Sequence, residues 1–207
     1  MRDASAGDQN DLEELAKGEI EKTKHVIDEI ITLRQNQKKH LVLSRLNVSD
    51  VIEKVICDLS NRREISPSID IELKLDRMPP IYTDQERLYK VLYHVIFNAM
   101  LYHDLEKEKR NIILSFELVS TGVIIIIADN GQGIDKKFLP RIFDMFYRIS
   151  KRSKGSGLGL YIAQEVMFQL QGRIELVSIL GEGTTVRIHV KNLEHSTIAI
   201  NFPRYDK

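Results

Sequence analysis

The sequence predicts a two-layer α/β sandwich preceded by an amphipathic helix, and three observations carry that expectation. Helical and strand periodicities alternate along the chain, with three helical stretches among at least five strands. One run, "VIIIIAD" (123–129), is apolar enough to be a central strand. The chain then closes on "RIELVSI" and "TTVRIHV", two alternating runs joined by "LGEG" that read as a hairpin, so the sheet is expected to be mostly antiparallel at that end. With 207 residues, 43% hydrophobic and 29% charged, the chain can core one such domain and carry an appendage.

Residues 1–10 are small and polar and read as a disordered lead. From 11 to about 35, Leu12, Leu15, Ile20, Ile27 and Ile30 recur among charged residues as one face of an amphipathic helix. A lone helix of this kind needs something to pack on: its own domain, or a second copy in a coiled or bundled dimer contact. Helical periodicity resumes at 49–62, where Val51, Ile52, Val55, Ile56 and Leu59 make an apolar face. Cys57 lies within that pattern and reads as a buried thiol in a reducing compartment, being the single cysteine of the chain. "IDIELKL" (69–75) alternates as a strand does. "MPPIY" then breaks the chain, and Thr83 with Glu86 offers a capping box for a long helix to about His103. "NIILSFEL" (111–118) and the 123–129 run pair through a turn at Ser120, Thr121 and Gly122, and 158–171 reads as the last helix.

Thirty basic residues balance thirty acidic ones, which excludes the electrostatic footprint of a nucleic-acid binder. No apolar run approaches the ~20 residues that span a bilayer, so the chain is expected to be soluble and cytoplasmic, or the cytoplasmic piece of a membrane-bound protein.

Two glycine clusters, "DNGQGI" (129–134) and "GSGLGL" (155–160), flank a basic, aromatic stretch. They read as two walls of one phosphate-ligand site, because glycine admits a ligand where a Cβ would collide. Neither matches the phosphate loop G-x-x-x-x-G-K-[ST] or the dinucleotide fingerprint G-x-G-x-x-G. Asp129, at the end of the central strand, either opens the turn or aims a carboxylate at a cavity, where it can only accept a hydrogen bond and so suits an exocyclic amine. His94 and Asn98 are one helical turn apart on one face, and an asparagine oxygen suits a Mg²⁺ that also binds phosphates.

In this order the motifs resemble those of the Bergerat-type ATP fold of the GHKL superfamily, most closely the catalytic half of sensor histidine kinases. "HVIFN" (94–98) is similar to the N box, "DNGQGI" to the first glycine box and "IFDMFYR" (142–148) to the F box. "GSGLGL" and "GEGT" (181–184) resemble the second and third glycine boxes. The resemblance implies ATP and Mg²⁺ as cofactors, His94 and Asn98 as catalytic residues, and Asn98 as metal ligand. It further implies nucleotide contacts from Asn98, Tyr102, Asp129, Gly131, Gly133, Ile134, Phe146, Arg148, Lys154, Gly155, Gly157, Leu158, Gly159, Leu160 and Thr184. Asp129 would read the adenine amine, Thr184 would support it, and 135–155 would form a lid whose cations are Arg148, Lys151, Arg152 and Lys154.

The implied organisation is a dimerisation helix and linker over 11–42, an ATP-binding domain over 43–192 and a tail over 193–207. Implied partners are a second copy of the chain, through the N-terminal helix, and the receiver domain of a response regulator. None of the six histidines sits on a first hairpin helix with an acidic residue directly after it, the setting of the family's phosphoacceptor, so the acceptor is expected outside this chain. His94 stands where many members carry asparagine, and Leu101 where a phosphate-holding lysine is common. A nucleotide-dependent binding module without phosphotransfer is the competing reading. A gyrase-like hydrolase would want glutamate at 94.

Overall fold

The computed structural model describes residues 31, 40–62, 65, 69–149 and 156–194. The expected dimerisation helix therefore lies outside the described residues apart from Ile31, as do the 1–10 lead and the tail from 195. In chain order the elements are β1 (Leu43–Leu46), α1 (Val48–Ser60), β2 (Asp70–Lys74), β3 (Ile81–Asp84) and α2 (Gln85–Leu101). There follow β4 (Asn111–Val119), β5 (Gly122–Asp129), a 3-10 helix (Lys136–Arg141), α3 (Gly159–Gln169), β6 (Arg173–Ile179) and β7 (Gly183–Lys191). Among the described residues no helix is long and apolar enough to cross a membrane.

Five strands form one sheet in the order β2, β4, β5, β7, β6. β2 runs parallel to β4, and the remaining pairs are antiparallel. The period-2 alternation decides which side faces the helices. Ile112 and Leu114, then Val123, Ile125 and Ile127, then Val186, Ile188 and Val190 are buried against Ile52, Leu59, Leu88, Leu92, Ile96 and Met167 of the three helices. On the other face Ile124 and Ile126 of β5 lie under an ion pair between Arg187 of β7 and Glu117 of β4, whose stems straddle the strand. This accounts for the unbroken apolar run: β5 is central, and both of its faces are covered.

The expected capping box is displaced by one residue. Asp84, not Thr83, is the N-cap of α2, and its Oδ1 accepts the Arg87 N–H at 3.0 Å. Thr83 is fully buried and its hydroxyl has no partner among the described residues. The cause is β3, which the Pro79-Pro80 break conceals: the chain stays extended through Asp84, in register with Leu43, before it turns into the helix. Asp84 Oδ2 also accepts the Val42 N–H at 2.9 Å and pairs with the Arg87 guanidinium, while Arg87 Nε donates to Gln169 Oε1 at the end of α3. One buried carboxylate thus joins the chain entering β1 to α2 and, through Arg87, to α3.

Cys57 is exposed, contrary to the expected buried thiol. The buried residues of α1 are Val48, Val51, Ile52, Val55 and Leu59, and two residues beyond Val55 a helix has turned about 200° to its solvent side. After β7 the chain stays packed through Leu193, whose N–H donates to Tyr82 O at 2.8 Å.

Candidate functional site

The central strand delivers Asp129 at its end, in register with Ile112 of β4 and Thr184 of β7. Its Oδ1 accepts the Gly131 N–H at 2.8 Å and the Thr184 N–H at 3.3 Å. Oδ2 accepts nothing among the described residues. Burial pushes this carboxyl above the usual range, and the two N–H groups and the nearby Lys107 ammonium pull it back. Asp129 opens a turn, as its sequence setting allows, and still presents one unused acceptor.

The first glycine cluster brings three elements together behind that carboxylate. A Cβ on Gly131 would lie 2.6 Å from Tyr102 O, at the end of α2, where Gln132 N–H also donates at 3.1 Å. Gly133 has φ +65° and passes the β6–β7 turn so closely that a Cβ would sit 1.9 Å from Ile179 O. Ile134 N–H donates to Ser178 Oγ at 2.8 Å, and Ser178 Oγ in turn reaches Gly183 O at 2.9 Å and Thr184 Oγ1 at 2.8 Å. Ser178 is 4% exposed and was not among the expected site residues. A polar residue on the inward face of an alternating strand was the sequence signal for it.

On α2, His94 and Asn98 are both half-buried on one side of the helix, and Tyr102, 38% exposed, follows at its end. The first residue of α3 lies against His94, since a Cβ on Gly159 would stand 3.2 Å from His94 Nδ1. Leu101 is only 8% exposed, so it packs and leaves no open phosphate-facing place at that position. Burial raises the Tyr102 hydroxyl's pKa, and Arg148 opposes this, which puts the lid arginine within electrostatic reach of the end of α2. Gly157 approaches the other end of the lid closely: a Cβ would meet Tyr147 O at 2.8 Å and the Phe146 carbonyl carbon at 2.9 Å. Phe146 itself has φ +62° and is 51% exposed, a strained backbone at an F-box position. Leu158 is 1% exposed, so its side chain belongs to the core and only its main chain could meet a ligand; Leu160 is half-buried. Lys151, Arg152, Lys154 and Gly155 lie outside the described residues.

A second unanticipated residue is Lys107. Its Nζ donates to the carbonyl oxygens of Asn130 and Gly181 at 2.7 Å, of Glu182 at 3.1 Å and of Gly131 at 3.2 Å. In sequence it is one lysine within "EKEKR" and reads as solvated surface. His103, the one histidine followed directly by an acidic residue, stands just past α2 with Nδ1 2.8 Å from Met100 O, and so not on a hairpin helix. Among the described residues no cluster of three or more His, Cys, Asp or Glu side chains could hold a metal. Half-buried Asn98, one helical turn along α2 from His94, fits an ion that takes most of its ligands from phosphate and water.

Residues 83–194 match the family described as histidine kinase-, DNA gyrase B-, and HSP90-like ATPase. Sensor protein kinase GraS of Staphylococcus aureus (strain MRSA252) is 32% identical over 165 residues, covering 76% of this chain and 45% of GraS. The chain thus spans less than half the length of that relative. The Acinetobacter baumannii histidine kinase AdeS superposes with a TM-score of 0.66 at 27% identity, over 87% of this chain and 85% of AdeS. ShkA, solved at full length in complex with AMPPNP, shares the fold with a TM-score of 0.68 at 21% identity, over 80% of this chain and 35% of its own.

Proposed function

The chain belongs to the histidine kinase-, DNA gyrase B-, and HSP90-like ATPase family, and on that premise we propose that residues 43–192 are the ATP-binding catalytic domain of a two-component sensor histidine kinase. The observation that carries the reading is Asp129. It is a half-buried carboxylate with one oxygen held by two main-chain N–H groups and the other unused, a site that accepts but cannot donate. The adenine 6-amino group supplies the matching donor, with Thr184 beside it.

From there the phosphates run toward the gap between α2 and the start of α3, lined by His94, Asn98 and Gly159. Arg148 closes from the lid side, and the family pattern adds Lys154 as a second lid cation. Mg²⁺, when bound, would neutralise phosphate charge, with Asn98 as its protein ligand. The reaction is attack of a histidine imidazole nitrogen on the γ-phosphorus: a P–N bond forms, the P–O bond to ADP breaks, and the phosphoryl group passes later to a response-regulator aspartate. The protein's contribution is positioning and charge neutralisation. The acceptor histidine lies on a dimerisation hairpin, contributed by a pair of chains, whose second helix and linker we assign to 11–42. GraS is named a sensor protein kinase and AdeS a histidine kinase, which supports the kinase reading.

Labelling tests it. Incubated with a separate dimerisation hairpin that bears an acceptor histidine, with Mg²⁺ and ATP radioactive at the γ-phosphate, the chain is expected to place acid-labile, base-stable label on the hairpin and none on itself. Nucleotide binding without such transfer would leave only a binding module. In the same protein Asn98→Ala is expected to lower ADP affinity about tenfold with Mg²⁺ and hardly at all in EDTA, as for one lost metal ligand. Equal enhancement by Mg²⁺ in variant and wild type would remove Asn98 from the metal.

A further inference from the structure

Lys107 offers three donor hydrogens to four carbonyl oxygens at 2.7–3.2 Å, two from the Asp129 loop and two from the β6–β7 turn. A lysine normally keeps its ammonium in water, whereas at half-buried Lys107 main-chain dipoles take the place of part of the hydration shell, as carbonyl rings do for a potassium ion. More acceptors than hydrogens means that the ammonium acts as a point charge at the centre of a cage. The two loops it joins are far apart in sequence, and each carries one half of the candidate adenine site: Asn130 and Gly131 follow Asp129, and Gly181 and Glu182 precede Thr184. Gly133 against Ile179 and Ser178 against Ile134 join the same two segments on the far side of the turn.

We propose that Lys107 is a tethered cation filling a four-carbonyl site, that it positions Asp129 and Thr184 for nucleotide, and that without its side chain the site takes up a free monovalent cation of ammonium or potassium size. This rests on the adenine reading of Asp129. The cage contains no side-chain ligand, so size and charge decide occupancy. Ammonium reproduces the group removed, potassium has nearly its radius, and tetramethylammonium is too large to enter.

The experiment is calorimetric titration with MgADP at constant ionic strength, in the chloride of tetramethylammonium, sodium, potassium or ammonium. The wild type should bind equally in all four, because its cage is already filled. Lys107→Ala should bind about tenfold more weakly in tetramethylammonium, a typical coupling between sites, and return to within about threefold of the wild type in ammonium or potassium. Lys107→Met, which fills the stem's space with an apolar chain, should stay weak in every salt.

Wild-type affinity in Lys107→Ala without a small cation would overturn the proposal, and so would a loss that no cation restores. If the wild type itself binds no ADP, the adenine reading fails and this inference with it; binding by the wild type with an indifferent variant defeats this inference alone. Should Lys107→Ala not fold, the unaltered protein decides. The caged ammonium is expected to give a slowly exchanging ¹⁵N–H cross-peak that shifts when ADP binds, and absence of a protected lysine signal would refute the cage.

Discussion

Asp129→Asn weakens ADP binding by about a hundredfold, because it places an amide donor against the donor amine of adenine at a cost of about 2–3 kcal/mol. The substitution isolates the oxygen that matters. The amide oxygen can still accept from Gly131 and Thr184 N–H, and only the unused position changes from acceptor to donor. Base preference should therefore reverse: a diphosphate of a 6-oxo purine, whose ring edge presents an acceptor, gains on ADP in the variant. Titration with both nucleotides checks this, and an unchanged preference would show that Asp129 does not face the base. The carboxylate also sets a pH limit. Its raised pKa means that protonation begins at milder acidity than for an ordinary aspartate. Since the ionised form is the better acceptor, ADP affinity in the wild type should fall as the pH drops through that raised value, and the variant should lack this step.

Gly133→Ala is expected to destabilise the fold by more than about 3 kcal/mol, whereas Gly181→Ala costs about 1 kcal/mol. Both glycines have left-handed backbones, with φ of +65° and +82°, so both substitutions carry the conformational penalty of a Cβ there. They differ in what the Cβ meets. At Gly133 it would stand 1.9 Å from Ile179 O and 2.7 Å from Ile179 C, which are main-chain atoms held in the β6–β7 hairpin; at Gly181 nothing lies within 4 Å. Urea unfolding of the two variants measures the difference. Equal losses would mean that the close approach of the Asp129 loop to the hairpin is not rigid.

Much of this architecture was legible because burial writes a period into sequence. β4, β5, α1 and the closing hairpin announce themselves through alternation or a helical stripe, and the ordered glycine boxes carried the resemblance that the match over 83–194 bears out. The misses share a cause: contacts distant in sequence decided them. β1 and β3 are four residues each and exist by pairing with one another across α1 and β2, so neither has a pattern of its own. The helix cap fell on Asp84 because β3 keeps the chain extended that far. Cys57 differs from its buried neighbours by a rotation about the helix that an apolar residue name conceals. Lys107 looks like any surface lysine until the turn at Gly181 is folded beside it, and Ser178 matters through Ile134, forty-four residues away.

The register that puts Asp129 beside Thr184 has a kinetic consequence. β4–β5 and β6–β7 are hairpins closed by short turns, with Val119 opposite Gly122 and Ile179 opposite Gly183. Asp129 and Thr184, by contrast, are 55 residues apart. Local hairpins close in microseconds, while the β5–β7 ladder must first bear the loop-closure entropy of the lid and α3 between its strands. The base-reading site lies on that seam, with Asp129 from the β4–β5 hairpin and Thr184 from the β6–β7 hairpin. It comes into being only as the two hairpins zip together, so during refolding the capacity to hold nucleotide arrives with this long-range step and not with the first secondary structure.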